Sequence, residues 1–308
     1  MKLNKFAAAF AALSIVGIGS AQADSFASAV LTITNLRWFN NATGNPLANG
    51  VEGTITGGQN KADASVNLTG FSTVPISDTP SLATGGQIPF RSTCIGVDCV
   101  GTPPNLGPPT NVLPNGMTYS YADYSLSGAV VSVPPIPVGA NANSTAQVDL
   151  SGKIGNPSSG TSSSNVGSNA TFFITPTNTI TTHFELDYAV HLVANIVTPF
   201  GALDAAKASS KWNLIVADTA DHINFLPPEL NFNVATTGSN GLSQYNRTGS
   251  LISVNFVLDA NESYSFTISS NLQAEGLRDV IPEPDSLALF GIGAAGLMVS
   301  SLRRRKLA

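Results

Sequence analysis

The chain has 308 residues, enough for one large domain or two small ones, so length alone excludes few folds. Charged residues make up only 11 % of it, whereas glycine (28) and proline (19) are abundant, and this composition disfavours helical bundles and coiled coils. Residues 24–281 carry 8 basic and 17 acidic side chains, a net charge of −9 that argues against nucleic acid as a partner.

The first 23 residues have the parts of a secretory signal peptide. Lys2 and Lys5 precede an apolar stretch over residues 6–19, and Ala21-Gln22-Ala23 follows as a small-residue cleavage site. The apolar stretch is short for a bilayer span. We therefore predict a signal peptide over residues 1–23, removed by signal peptidase after Ala23, with an uncleaved N-terminal anchor as the alternative.

The body, residues 24–281, shows short stretches of alternating apolar and polar residues separated by turn-forming clusters, a pattern typical of antiparallel β-sheets. The clearest stretch is residues 181–197. Its apolar side chains, which share one face of the predicted strand, are Phe184, Leu186, Tyr188, Val190 and Leu192. Its polar side chains on the other face are His183, Glu185, Asp187 and His191. We expect the first face to pack in a core and the second to be solvated.

Two further alternating stretches, residues 252–258 and 263–269, flank Asp259-Ala260-Asn261-Glu262. Because Asp and Asn favour turn conformations, we predict that these two strands form a hairpin. The other predicted strands lie near residues 29–36, 64–74, 117–133, 145–154, 169–175, 211–217 and 230–236.

About ten strands and no long amphipathic helix predict an all-β body, an antiparallel β-sandwich with polar outer faces, for which a jelly-roll is one arrangement. A β-solenoid is the rival, and the lack of a short fixed repeat in the sequence counts against it. Residues 75–116 and 155–168 are rich in Pro, Gly, Ser and Thr, and we predict that they are long loops. The second is either a surface loop or a linker between two lobes.

Cys94 and Cys99 are the two cysteines of the chain, with four residues between them in a proline-rich segment. We expect them to form a disulfide, because extracytoplasmic compartments are oxidising. It would close a small loop and stabilise it locally. Metal binding by two thiolates is the alternative, but a second Cys or His pair at matching spacing is missing from the sequence.

Candidate metal ligands are few. His183 and His191 lie on the same face of their predicted strand, but residues eight apart on a strand are separated by roughly 26 Å, too far to share one ion. We therefore predict a solvated strand face, with no metal and no cofactor. Asp218, Asp221 and His222 form either a turn or a calcium site in a loop.

The body carries no recognisable catalytic motif. A G-x-S-x-G elbow, a P-loop and an H-E-x-x-H motif are all missing from the sequence, so we predict no catalytic residue and no enzymatic activity. Trp38 and Trp212 are the two tryptophans. We expect both to lie in the core, with a sugar-stacking surface as the alternative.

The C-terminal segment, residues 282–308, begins with Pro282-Glu283-Pro284, continues with an apolar stretch and ends with Arg303-Arg304-Arg305-Lys306. At about 1.5 Å per residue the apolar stretch gives roughly 25 Å of helix, close to the bilayer core of about 30 Å. Basic side chains that snorkel cover the difference. We predict a transmembrane helix over residues 286–302, with the basic tail in the cytoplasm and the body outside the inner membrane.

This segment resembles a PEP-CTERM sorting signal. The residues that carry the resemblance are Pro282-Glu283-Pro284, Gly291, Gly293, Gly296 and Arg303-Arg304-Arg305, in this order at the end of the chain. The resemblance implies that an exosortase, an integral-membrane enzyme with a proposed Cys-His-Arg active site, recognises this tail and removes it near the Pro-Glu-Pro motif. It covers about the last 27 residues and does not extend to the body. An ordinary C-terminal membrane anchor is the alternative.

From the resemblance we expect an exported protein of a Gram-negative bacterium that makes extracellular polysaccharide. Its precursor would be anchored in the inner membrane, and the mature form would reach the cell surface or the extracellular matrix. We predict a structural or adhesive role in an exopolysaccharide or biofilm layer, with exopolysaccharide as a partner and with signal peptidase and exosortase as processing enzymes. The alternatives are a carbohydrate-binding module and a secreted hydrolase, which would need two close carboxylates in a cleft.

Overall fold

The computed structural model describes residues 24–79, 87–96, 99, 118–133, 138–151, 160–197, 204–218, 222–238 and 241–278. These residues form fifteen β-strands and one short 3-10 turn, without an α-helix, and the paired strands are antiparallel. The predicted all-β, antiparallel fold is therefore confirmed. Within these ranges, no helix has the length and apolar character needed to span a membrane. The predicted signal peptide and transmembrane helix lie outside the described residues.

In chain order the strands are β1 Asp24–Asn40, β2 Asn45–Pro46, β3 Gly53–Leu68, β4 Val74–Asp78, β5 Ile88–Gly96, β6 Thr118–Ser127, β7 Ala140–Ser151, β8 Gly160–Pro176, β9 Ile180–Val197, β10 Ala205–Ala217, β11 His222–Phe225, β12 Phe232–Thr237, β13 Gly241–Ile252, β14 Phe256–Leu258 and β15 Tyr264–Arg278. Most of the predicted strands overlap strands of the structure. The stretch near residues 64–74 is not one strand, because it contains the end of β3, a turn and the first residue of β4.

The strands form two sheets that pack face to face. The first sheet has eight strands in the order β13-β9-β1-β7-β6-β5, with β2 beside β1 and β14 beside β9. The second has seven strands in the order β11-β10-β15-β8-β3-β4, with β12 beside β10. Gly276 on β15 lies so close to β7 that a Cβ atom there would be 3.2 Å from Leu150 Cδ1 and 3.3 Å from Val148 Cγ2. The inner faces of both sheets contribute to one hydrophobic core.

Strand β9 follows the alternation in its sequence. Phe184, Leu186, Val190 and Leu192 are at most 2 % exposed, and Tyr188 is partly buried, whereas the polar residues between them lie on the opposite face. The predicted core face of this strand is therefore confirmed. Strand β9 pairs with β1 over most of its length. These two long strands lie inside the first sheet, between β13 and β7.

An aromatic cluster joins the two sheets at the centre of the core. Trp38 on β1 lies 4.9 Å from Phe184 in the same sheet and 5.4 Å from Phe266 in the opposite sheet, measured between ring centroids. Phe172 and Phe256 complete the cluster around Trp38. Trp38 is 0 % and Trp212 is 3 % exposed, which confirms that both tryptophans are core residues and excludes them as a sugar-stacking surface.

The predicted hairpin between residues 252–258 and 263–269 is wrong. Strand β14 pairs with β9 in the first sheet, whereas β15 pairs with β8 and β10 in the second. The intervening turn therefore crosses from one sheet to the other, with Asn261 in the left-handed region at φ 64°. Phe256 and Leu258 of the first stretch face the same core as β15, whereas Ile252 and Val254 are exposed, so alternation identified only part of the buried face and did not identify the neighbouring strand.

Two predicted loops contain strands. Most of β4 and all of β5 fall within residues 75–116, and β8 begins at Gly160 inside the serine-rich stretch 155–168. Ser164 suits a central strand because its hydroxyl finds a backbone acceptor on the facing sheet, where Oγ donates to the Tyr121 carbonyl at 2.5 Å. Residues before and after this stretch, such as Val148 and Phe172, share the single core.

The aromatic cluster provides a test of the packing. Phe266→Ala should lower the free energy of unfolding by about 3–5 kcal/mol, because it removes a fully buried ring that contacts aromatic side chains from both sheets. Urea unfolding followed by the fluorescence of the two buried tryptophans measures this change. The matched control is Phe173→Ala on the same pair of strands, whose ring is 43 % exposed, and which should cost about 1 kcal/mol or less. Equal losses in both variants would contradict this packing.

Candidate functional sites

The polar face of β9 holds both histidines that the sequence singled out. His183 lies between two side chains, with its Nδ1 in hydrogen-bond contact with Asn41 Oδ1 and its Nε2 3.1 Å from Glu185 Oε1. Desolvation lowers the pKa of the half-buried His191, so this imidazole is neutral at pH 7. No group of three or more potential metal ligands occurs among the described residues. Asp221 of the calcium alternative lies outside them.

The carboxylate of Asp187, on the same face, accepts hydrogen bonds from two neighbouring strands. Hydrogen bonds from Ser250 Oγ on β13 and from Asn35 Nδ2 on β1 lower the pKa of its carboxyl group. The carboxylate therefore connects three neighbouring strands of the first sheet.

Cys94 and Cys99 form a disulfide with a Cα–Cα distance of 5.8 Å. Cys94 lies on β5, the end strand of the first sheet, and pairs with Tyr121 of β6. The bond joins the end of this strand to the segment that follows it in the sequence.

A row of side chains crosses the first sheet on the face that points away from the second sheet. Ser28 on β1, Gln147 on β7 and Tyr121 on β6 are direct neighbours in this row, and they are at most 3 % exposed. The outer face is polar here, as expected for the sandwich, but it is buried rather than solvated. Alternation identifies the residues that share a face, but whether an outer face is solvated depends on tertiary packing.

Asp123 lies in the next row of this buried outer face and is 6 % exposed. Tyr121 Oη donates a hydrogen bond to Asp123 Oδ2 at 2.8 Å, and Thr145 is its direct neighbour on β7. Burial raises the pKa of Asp123 to about 6, and the hydrogen bonds from Tyr121 and Thr145 oppose this rise. The carboxyl group thus changes its charge close to neutral pH.

An aromatic patch, which the sequence analysis did not identify, lies at the side of the sandwich formed by β12 and β13. The rings of Phe232 on β12 and Tyr245 on β13 stack with centroids 4.1 Å apart and planes 17° apart. Tyr245 Oη donates to the carbonyl of Glu229 at 3.1 Å, and the guanidinium carbon of Arg247 lies 5.8 Å from the centre of the Tyr245 ring. We call Phe232, Tyr245 and Arg247 the side patch.

The side patch joins the two sheets and is open to solvent. Tyr245 lies opposite Leu192 of β9, so its ring is on the inner face of the first sheet, and Phe232 lies opposite the buried Ser210 in the second sheet. Phe232 is nevertheless 45 % exposed. The patch is not recognisable in the sequence, because the two rings come from strands whose proximity is set by the sheet topology.

Comparisons with known proteins identify the tail. Residues 280–305 match the PEP-CTERM protein-sorting motif, and they include Pro282-Glu283-Pro284 and Arg303-Arg304-Arg305. The chain thus carries the sorting motif that its sequence resembles, which supports an exported protein that is processed by exosortase. Neither a curated protein nor a solved structure matches the chain. The motif itself lies outside the described residues.

Asp123 predicts a pH dependence of stability. Its pKa of about 6 in the folded protein exceeds the value of about 3.9 in an unfolded chain, so the folded state binds more protons between these values. The free energy of unfolding should therefore fall as the pH rises from about 4 to about 6. Asp123→Asn should remove about 2–3 kcal/mol of this fall, because each pKa unit corresponds to about 1.4 kcal/mol. Urea unfolding at several pH values measures the difference.

The control for this prediction is Asp187→Asn, whose effect has the opposite sign. Because hydrogen bonds lower the pKa of Asp187, its ionised form stabilises the folded state, and the variant should lose stability relative to the parent as the pH rises. A parent and an Asp123→Asn variant with parallel pH profiles would contradict the assigned environment of Asp123.

Proposed function

We propose that this protein is a non-enzymatic component of the cell surface or extracellular matrix of a Gram-negative bacterium, released from an inner-membrane precursor by exosortase. Its β-sandwich has a structural or adhesive role in an exopolysaccharide or biofilm layer. The observation that carries this proposal is the PEP-CTERM motif at residues 280–305. The motif names the processing partner, because a PEP-CTERM tail is the part of a protein that exosortase recognises.

The predicted ends of the chain support the same route. A signal peptide over residues 1–23 would deliver the body across the inner membrane, and a helix over residues 286–302 would hold it there until cleavage. The basic residues Arg303-Arg304-Arg305 fix the orientation, because positively charged flanks stay in the cytoplasm. Exosortase then separates the body from this helix, close to Pro282-Glu283-Pro284.

The body has properties suited to a matrix component. Its net charge of −9 keeps it soluble outside the cell, and a single core from two large sheets makes it a rigid unit. The disulfide at Cys94 and Cys99 suits an oxidising compartment. A carbohydrate-binding module is the alternative, and because Trp38 and Trp212 are buried, a sugar would have to use other side chains.

The sorting motif provides the test of this proposal. Replacement of Pro282, Glu283 and Pro284 by alanine should leave the protein in the inner-membrane fraction of its native host, because exosortase would no longer release it from its helix. Immunoblots of inner-membrane, surface and culture fractions measure this distribution. The expected result is a loss of at least about tenfold from the surface and culture fractions, because a tenfold slower cleavage needs only about 1.4 kcal/mol of lost transition-state stabilisation.

The matched control is Asp285→Ala, one residue beyond the motif, which keeps the three motif residues and should be distributed like the parent. Retention of both the parent and the triple variant in the inner-membrane fraction would show that the tail acts as an ordinary membrane anchor, and release of both at the same level would show that release does not require the motif. The proposed matrix role would then lose its main support.

A further inference from the structure

Strand β13 has an unprotected free edge. It is 12 residues long and pairs along its whole length with β9, its one strand partner in the described part of the chain. Its sequence, GLSQYNRTGSLI, has no proline and a single charged residue, Arg247. The outer edge of such a strand presents backbone N–H and C=O groups that can pair with another strand.

Most of the other sheet edges carry features that prevent strand pairing, and β12, which lacks proline and a bulge, has only six residues. Strand β5 contains Pro89, a register shift between Ile88 and Arg91, and the cysteine of the disulfide. Strand β4 has five residues and contains a proline. The half of β3 that β4 leaves uncovered is interrupted by a bulge at Gly57-Gly58, and β11 has four residues. Short length, proline and bulges are the usual means of protecting an edge, and β13 has none of them.

Exposed apolar side chains concentrate around the β13 edge. The members of this apolar rim are Leu226, Phe232, Leu242, Ile252, Val254 and Val257, each 45–74 % exposed. They lie on β12, β13, β14 and the segments beside them. Exposed apolar side chains are enriched at protein interaction sites, and here they lie on and beside the strand with the free backbone edge.

We propose that β13 pairs antiparallel with β13 of a second copy of this chain, so that the first sheet of one molecule continues into the first sheet of the other. The apolar rims of the two molecules then face each other beside the new strand pair, and the interface is the same on both copies. This self-association goes beyond the proposed function and does not depend on how the tail is processed.

Complementary groups on β13 itself favour a second copy as the occupant. The body is acidic, with a net charge of −9, and two copies repel each other over most of their surfaces. Strand β13 has no carboxylate, and its one charge is the cation Arg247. The stacked ring of Tyr245, which already lies under Arg247 in one molecule, offers a partner for the same cation of the other molecule.

The residues of β13 select one register. Directly opposed residues of an antiparallel pair lie on the same face, so a symmetric pair must be centred on a residue. A centre at Arg247 would place the two cations opposite each other, and a centre at Tyr245 would pair only about nine residues. A centre at Asn246 pairs about eleven residues without opposed like charges. Across this interface Tyr245 lies opposite Arg247, Gln244 opposite Thr248, Ser243 opposite Gly249, and Leu242 opposite Ser250.

Sedimentation equilibrium of the full-length chain in a mild detergent tests the dimer. Gln244→Lys combined with Thr248→Lys should raise the dissociation constant at least about tenfold, because two pairs of like charges then oppose each other. Both parent side chains are exposed on the outer face. The control, Gln59→Lys with Asn178→Lys, adds the same charge at exposed sites on β3 and in the turn after β8, and should dimerise like the parent.

A charge-reversed partner makes the test independent of folding defects. An equimolar mixture of the double-lysine variant with Gln244→Glu, Thr248→Glu should form mixed dimers, since each lysine then opposes a glutamate. A parent that is monomeric at all concentrations would overturn the proposal, and so would a dimer that the lysine pair does not weaken. A monomeric parent whose binding to the host's polysaccharide is lost in Phe232→Ala would instead assign this side to a carbohydrate.

Cross-linking tests the register. Asn246→Cys should form an intermolecular disulfide on mild oxidation, because this residue lies opposite itself with Cβ atoms about 4.5–5.5 Å apart. Thr248→Cys should not, since the two introduced thiols lie about 13 Å apart along the strands. Both native cysteines are already paired with each other. Equal cross-linking of the two variants would exclude the Asn246-centred pair.

Discussion

The burial of one face of each sheet against the other is the constraint on which this structure depends. The chain has few charged residues and many small ones, so large side chains at a few positions must fill the space between the sheets. Trp38 does so at the centre, where it contacts phenylalanines from both sheets. Gly276 acts in the opposite sense, because its lack of a side chain admits Leu150 and Val148. The side patch forms where the packed sheets bring β12 and β13 together, and the free edge of β13 lies at the same side of the sandwich.

Patterns that are local in the sequence gave correct predictions. The faces of β9 follow from its period of two residues, and the burial of both tryptophans follows from their size. The sorting motif is local as well, since Pro282-Glu283-Pro284 and the basic tail lie within about 27 residues and match a known motif. Such features do not require knowledge of the tertiary structure.

Features that depend on strand neighbours were not predictable. Strands β14 and β15 face the same core from opposite sheets, which alternation alone cannot distinguish from a hairpin. The serine-rich start of β8 looks like a loop because its partners, such as the carbonyl of Tyr121, come from distant parts of the chain. The side patch and the free edge of β13 arise from the order of strands in each sheet.

The tail carries the sorting motif, and the proposed surface role belongs to the body, so the two can be studied separately. The most direct test of the central claim is the intact mass of the protein recovered from the surface or culture fraction of its native host. The account predicts a chain that begins at Asp24 and ends near Pro282-Glu283-Pro284, without the helix and the basic tail. A recovered protein whose mass includes the residues up to Ala308 would contradict it.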